Sequence, residues 1–204
     1  MRELKPGLWH WEAPHPEWEP GGPWPEMVSS YAIDDGERLL LFDPIAPPSE
    51  IHELAAGRET VIVLTAPWHE RDTRSLVEQL DVPVFVPQPD KGSPDVAWLL
   101  TGDAGEGNLY SAGEGLPVGV DRALAGRESN DLVLWLESRR AVVAGDSLVD
   151  FGQGLEVPVV WLREGVTREQ VAERLRPLLE LPVEHVLAAH GGPTNRAALE
   201  RALS

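Results

Sequence analysis

At 204 residues the chain is long enough to bury a sizeable core in a single domain. Its 34 acidic residues against 17 basic ones give a formal net charge of −17, which removes the cationic surface on which nucleic-acid affinity rests, so no nucleic-acid partner is expected. There is no cysteine, which excludes disulfides, thiolate metal ligation and thiol catalysis and leaves any metal to His, Asp or Glu.

The first residues, Met1 to Gly7, lack an apolar run of signal-peptide length, and no segment approaches the roughly eighteen apolar residues of a membrane span. A cytoplasmic protein with no membrane partner is expected. Residues 1–24 interleave Trp9, Trp11, Trp18 and Trp24 with five prolines, which predicts an extended arm, strand then loop, packing its indoles on the body or walling a pocket. Met27 to Ile33 and Arg38 to Phe42 read as a hairpin across Asp34-Asp35-Gly36-Glu37, ending in Asp43.

Ser49 is placed to cap a short helix through Ala55, and the apolar strand Val61 to Leu64 leads through Thr65 to the polar stretch Trp68-His69-Glu70-Arg71-Asp72. A helix with Leu76, Val77 and Leu80 on one face follows, then a short strand at Val84 to Val86. Residues 101–115 combine five glycines with Asp103, Glu106 and Glu114. Those carboxylates and the missing Gly-Lys-Ser/Thr ending argue for a surface loop over a phosphate cradle.

Val118 to Leu124 and Leu132 to Leu136 read as strands, the second forming a hairpin with Ala141 to Ala144 across Glu137 to Arg140 and ending in Gly145-Asp146. Thr167 to Gln170 fits a capping box, opening a helix with Val171, Leu175, Leu178 and Leu179 on its inner face that Pro177 should kink. The strand from His185 ends in Ala189-His190-Gly191-Gly192, and a helix from Asn195 to Leu203 closes the chain. Apolar runs ending in Asp or His are expected to line up at one edge of one sheet, because the loops beyond buried strands can carry polar groups that a core could not satisfy.

The order of these pieces resembles the metallo-β-lactamase superfamily over nearly the whole chain. Its opening hairpin ending in Asp looks like Ser29 through Asp43-Pro44, and its strand ending in Thr before the metal loop looks like Val63-Leu64-Thr65. Its Gly-Asp hairpin looks like Val143 to Asp146, and its late His-Gly strand end looks like Ala189-His190-Gly191. The resemblance implies an α/β, four-layer αββα sandwich in one domain spanning 1–204, and a hydrolase acting on a small ester, amide or thioester-like substrate. It also implies that Asp43 is mainly structural.

The departures bear on the chemistry. The family's Thr-His-x-His-x-Asp-His loop is replaced by Thr65-Ala66-Pro67-Trp68-His69-Glu70-Arg71-Asp72. Counted without gaps, the ligand positions fall on Ala66, Trp68, Glu70 and Arg71; shifted by one residue, they fall on Pro67, His69, Arg71 and Asp72. Neither count rebuilds a two-metal site. The family's middle histidine corresponds to Arg127, while Asp146 and His190 match residue by residue.

A zinc-type site needs three or four N or O ligands. Asp146, His190 and His69 with one of Glu70 or Asp72 would supply it for one divalent metal (zinc, iron or manganese), with Asp146, His190 and Asp72 as the catalytic candidates. Trp68, Arg71 and Arg127 are the substrate-binding candidates. Arg127 has two roles open, clamp for a substrate anion or partner of an acid such as Glu128 or Asp146, and Arg71 likewise suits a carboxylate, Asp146 included. The alternative is a protein with no metal and no catalysis, in which Arg71 and Arg127 replace the lost cationic centre and bind a small anionic ligand or a partner. Gly145-Asp146-Ser147-Leu148 also spells a serine-hydrolase signature, but it lies mid-chain and Leu187 stands three residues before His190, where that family needs Asp; Ser147 is set aside as a nucleophile.

Overall fold

The computed structural model describes residues 1–90, 98 and 108–204. The first sheet contains seven strands in chain order: β1 (Arg2–Lys5), β2 (Leu8–Pro14), β3 (Met27–Asp34), β4 (Arg38–Phe42), β5 (Glu59–Val63), β6 (Val84–Pro87) and β7 (Leu109–Tyr110). β1 to β4 run antiparallel, and β4 to β7 run parallel, with Leu40 opposite Val61 and Phe42 opposite Val63. The second sheet is built from β8 (Arg122–Ala125), β9 (Leu132–Leu136), β10 (Ala141–Val143), β13 (His185–Leu187) and β14 (Thr194–Asn195), in the order β14-β13-β10-β9-β8. A small hairpin of β11 (Val149–Asp150) and β12 (Leu155–Glu156) stands apart.

Strand periodicity sorts the apolar residues into three layers. Leu40, Phe42, Val61 and Val63 from the first sheet meet Leu132, Leu134, Leu136 and Val143 from the second. The alternate residues Leu39, Leu41, Ile62 and Leu64 face outward onto Ile51 of α1 (Ser49–Ala55) and Leu76 of α2 (Thr73–Leu80). On the other side, Val133, Trp135 and Val142 pack against Val171 and Leu175 of α3 (Arg168–Leu175) and Leu199 of α4 (Arg196–Ala202). The core strands therefore bury both faces, as their unbroken apolar runs require, and the layer order is helices, sheet, sheet, helices.

Several local expectations are met. Thr167 Oγ1 accepts from Gln170 N–H while the Gln170 side chain accepts from Thr167 N–H; α3 then ends at Leu175 and tightens into a 3-10 turn over Arg176–Glu180 where Pro177 lacks its N–H. Three others are corrected. Ser49 opens α1 as its first helical residue, and the cap position is Pro48, which has no side-chain acceptor. Val118 to Leu124 is not one strand: Leu116 and Val120 form an isolated bridge around Gly119, at φ 85°, and the strand begins at Arg122. The arm has two strands where one was expected, β1 and β2 both extending the first sheet, while Trp11 packs its indole on the body as expected, donating N–H to the Ile45 carbonyl at 2.7 Å.

Residues 101–107 of the glycine-rich stretch lie outside the described residues, and 111–115 run as loop. Among the described residues, no helix is long and apolar enough to cross a membrane.

The largest correction concerns the shared edge. The strands ending in Asp43 and Thr65 belong to the first sheet, and those ending in Asp146 and His190 belong to the second. The two edges are tied together by Ser29 N–H to the Ala189 carbonyl (2.8 Å), Leu132 N–H to the Thr65 carbonyl (2.8 Å) and Tyr31 Oη–H to the Ala188 carbonyl (2.9 Å). Edge loops pinned in this way present their side chains into one common space.

Candidate active site

Asp43 ends β4 in the left-handed region, at φ 45°, a conformation that costs a non-glycine residue energy and persists only where its surroundings hold it. They do so here: Thr65 N–H and Thr65 Oγ1 donate to its two carboxylate oxygens at 2.8 and 2.6 Å. The chain then makes a 3-10 turn over Pro67–His69 with proline in its first turn, which swings Trp68 and His69 toward the second sheet. His69 Nδ1 lies 3.1 Å from Asp43 and 3.0 Å from Thr65 Oγ1, and its Nε2 lies 3.1 Å from Asp146 Oδ1.

Asp146 is placed by β10 and by Gly145, at φ 53°, where a Cβ would come within 2.9 Å of Asp131 Oδ1 and 3.1 Å of Thr65 Oγ1. Its carboxylate is met from four directions. His69 Nε2 and His190 Nε2 approach Oδ1 at 3.1 and 3.3 Å, while Trp68 Nε1–H and Arg127 Nη2–H donate to Oδ2 at 2.8 and 3.1 Å. Among the described residues, His69, Asp146 and His190 form the group able to hold a cation, with one ligand atom from each inside 4.8 Å of the others.

The electrostatics follow from burial and pairing. Burial opposes a charge on His69, but Asp146 and Asp43 on its two ring nitrogens outweigh it and push its pKa up to about 9. Asp146 is likewise penalised by burial, yet His69 and His190 hold it well below the usual carboxylate range. His190 is pushed down, chiefly by burial, and its Nδ1 has no partner among the described residues. In the metal-free protein the pair is thus an imidazolium between two carboxylates beside a neutral imidazole.

Arg127 is held as the partner of acids. Its nitrogens lie 2.9 Å from Asp131, 3.1 Å from Asp146 and 3.4 Å from Glu128, and Nη1–H donates to the Trp161 carbonyl at 3.1 Å. Its guanidinium sits between the indoles of Trp68 and Trp161, at 5.1 and 5.7 Å from their centroids. Asp131, fully buried, is pushed up to about 7 by burial and by Asp146, with Arg127 opposing. Ser147 is no nucleophile: its Oγ–H donates to Asp131 at 2.8 Å and its oxygen accepts from Arg127 N–H at 2.9 Å in the core.

Arg71, at φ 46°, does not reach the Asp146 carboxylate for which it was a candidate partner; its Nη1–H groups donate to the Asp43 and Ser29 carbonyls at 2.7 and 3.0 Å. Glu70 and Asp72, candidate ligands in the sequence, stand outside the metal-competent group. The positive φ of Arg71 turns the chain there: Asp72 Oδ2 accepts from Ala46 N–H at 2.5 Å, and Glu70 is half-buried, its pKa raised chiefly by burial. Both line a neighbouring pocket.

The main pocket is about 430 Å³, with the three cation-competent residues among its walls. Trp161 and Trp24 stand edge-on to the His190 ring at 5.0 and 6.2 Å, and Phe151 contacts both Trp161 and His190. Trp24 brings the proline-rich arm to the pocket, together with His15 and Glu17. Asp131 and Trp161 were not legible as site residues. Asp131 resembles a turn residue before a strand, and Trp161 closes an apolar triplet whose partners lie elsewhere in the chain.

The residues present fit one cation and not two. Two imidazole nitrogens and one carboxylate oxygen converge, and Asp43 behind His69 Nδ1 is the kind of outer partner that orients a metal-ligating imidazole. Of the other positions at which the resembled family carries ligands, Arg71 and Arg127 offer no lone pair to a metal, and Glu70 and Asp72 stand outside the group.

No family model matches the chain, and no curated protein matches it by sequence. Solved structures do match. The metallo-β-lactamase family protein TTHA1429 of Thermus thermophilus is 20% identical over 98% of this chain and 78% of its own, with a TM-score of 0.63. The DIM-1 metallo-β-lactamase exposed to ceftazidime is 15% identical over 99% and 93%, with a TM-score of 0.66. TTHA1623 in a di-iron-bound form is 23% identical over 87% and 94%, with a TM-score of 0.59. At these identities the likeness is one of fold, and together with the four layers and their strand order it establishes that the chain has the metallo-β-lactamase fold.

Proposed function

We propose that the chain is a divergent hydrolase of this fold that uses a single divalent metal, held by His69 Nε2, His190 Nε2 and Asp146 Oδ1, on a small ester, amide or thioester-like substrate. The observation that carries the reading is the convergence of those three buried ligand atoms at the floor of an aromatic-walled pocket. When bound, such a cation supplies Lewis acidity, polarising a carbonyl and lowering the pKa of a coordinated water.

The chain's own residues prepare for that chemistry. Asp43 and Thr65 hold His69 Nδ1, which leaves Nε2 directed into the pocket. Trp68 and Arg127 occupy Asp146 Oδ2 and so present Oδ1 to the two histidines. Trp24, Trp161 and Trp68 wall the space, and a substrate seated against them would displace water from its carbonyl and so strengthen the polar contacts made there. Binding a cation requires His69 to give up the proton it holds between Asp43 and Asp146, so affinity should rise with pH.

A specific observation favours the second reading, a metal-free binding protein: Arg127 lies 3.1 Å from Asp146 and supplies the positive charge that a metal would otherwise bring. Elemental analysis separates the two. Protein purified without chelator and supplemented with zinc, iron or manganese should retain a stoichiometric cation that Asp146→Ala and His190→Ala lose, together with hydrolysis across a panel of small esters, amides and thioesters. A parent free of transition metal after supplementation refutes the hydrolase reading and leaves the binding one.

A further inference from the structure

Three guanidinium groups border the main pocket, and only one has charge to spare. Arg127 is committed to Asp146, Asp131 and Glu128, and Arg163 bridges Glu128 and Asp90 at the rim. Arg71 has no carboxylate within ion-pair distance among the described residues; its only hydrogen bonds there are the two from Nη1–H to the Ser29 and Asp43 carbonyls. Its Nε–H is buried without a partner among the described residues. Its Nη2 has no partner among the described residues either, and Arg71 lines both the main pocket and the neighbouring one of about 270 Å³.

A guanidinium left with unpaired donors inside a largely apolar wall is an expensive arrangement unless something anionic pairs with it. Planar, permanently charged and forked, it matches a carboxylate better than any other ligand group. Asp43 is occupied by Thr65 and His69, Asp146 by its four donors, and Asp72 by Ala46 N–H, while Glu17, which lines both pockets with Arg71, makes no ion pair with it. The pocket that Arg71 lines is also walled by Trp24 and Trp161, which stand edge-on to the His190 ring. We infer that Arg71 is the anchor for a carboxylate of the ligand, and that the substrates of this pocket are aryl or similarly apolar carboxylic acids whose hydrolysable bond lies toward His190 and Asp146. The second half of this statement rests on the reading of the pocket as a hydrolytic site; the first half does not.

The test uses chelator-treated protein, which removes any cation as a competing anchor, so its outcome is independent of the metal analysis. Benzoate, phenylacetate and 3-phenylpropionate are titrated calorimetrically against their uncharged amides. At least one acid should bind about tenfold or more tighter than its amide, and Arg71→Gln should erase that advantage. Equal binding of acids and amides, no binding of any acid, or an acid preference that survives Arg71→Gln overturns the inference. Because Arg71 also supports the Asp43 and Ser29 carbonyls, Arg71→Gln is paired with a measurement on the parent: a crystal soaked with the tightest acid should place its carboxylate on Arg71 Nη2, and a carboxylate seated on Arg127 or Arg163 instead overturns the inference.

Discussion

His69 should make the metal-free protein lose stability as the solution becomes alkaline. Its pKa is 6.5 in an unstructured chain and about 9 in the fold, so the folded state holds a proton that the unfolded state has released. For a group raised in this way the stabilisation is fully present below pH 6.5 and disappears as pH climbs through about 9. At about 1.36 kcal/mol per pH unit the whole contribution is about 3 kcal/mol, of which roughly 2 kcal/mol is lost between pH 7.5 and 9.5. The depression of Asp146 expresses the same attraction from the other side and is not added to it.

The window is dominated by His69. His10, His15, His185 and His190 are all pushed down, Tyr31 and Tyr110 are pushed up beyond it, and Asp131, pushed up to about 7, has released most of its proton by pH 7.5 and adds only a small loss. Urea denaturation of chelator-treated protein at the two pH values should show the loss, and a thermal midpoint should fall by roughly 4–8 °C for a chain of this size. His69→Gln should be nearly flat across the same window. A parent whose stability does not change there, or a His69→Gln variant with the same slope, refutes the picture of an imidazolium locked between Asp43 and Asp146.

Three further outcomes test the surroundings of the site. Gly126→Ala would drive a Cβ into Ser147 Oγ and to within 2.8 Å of the Asp131 carbonyl; it should cost about 3 kcal/mol in urea denaturation, and an unchanged midpoint would mean that the turn carrying Arg127 is not packed as described. Arg127→Met removes the cation from the fully buried Asp131 and should cost about 3–5 kcal/mol at pH 7.5, but less at pH 5, where Asp131 takes up a proton; equal losses at both would show that its charge is not the cause. Thr167→Ala deletes the capping box of α3 and should cost about 1 kcal/mol by the same measurement, with no change in any ligand affinity.

How far the sequence carries can be judged from particular residues. The apolar runs at 39–42, 61–64, 132–136 and 141–144 are short, rich in branched residues and bounded by turn formers, and they became the two-faced buried strands that such runs predict. The capping box at Thr167 and a departure from regular helix at Pro177 depend on backbone chemistry within a few residues, and they too were readable, though the expected kink is a change to 3-10 geometry. The partners of the side chains were not. Counting along the loop from Thr65 offered Glu70 and Asp72 as ligands as readily as His69, because spacing assumes a regular path; the 3-10 turn at Pro67–His69 and the left-handed Arg71 break that path and turn the two acids away. Arg71 and Arg127 looked interchangeable as cations, yet among the described residues one meets three carboxylates and the other none.

The sequence by itself determined the buried strands, the helices among them and which strand ends would carry Asp and His, since period and propensity act over a few residues at a time; the four layers were expected from the resemblance. Only the tertiary structure decided that those ends belong to two sheets instead of one, that Asp146 is shared by His69, His190, Trp68 and Arg127, and that Arg71 keeps unspent charge beside the pocket while Arg127 does not. These are contacts between residues tens of positions apart, set by how two sheets pack face to face, and no local pattern encodes which donor will reach which oxygen.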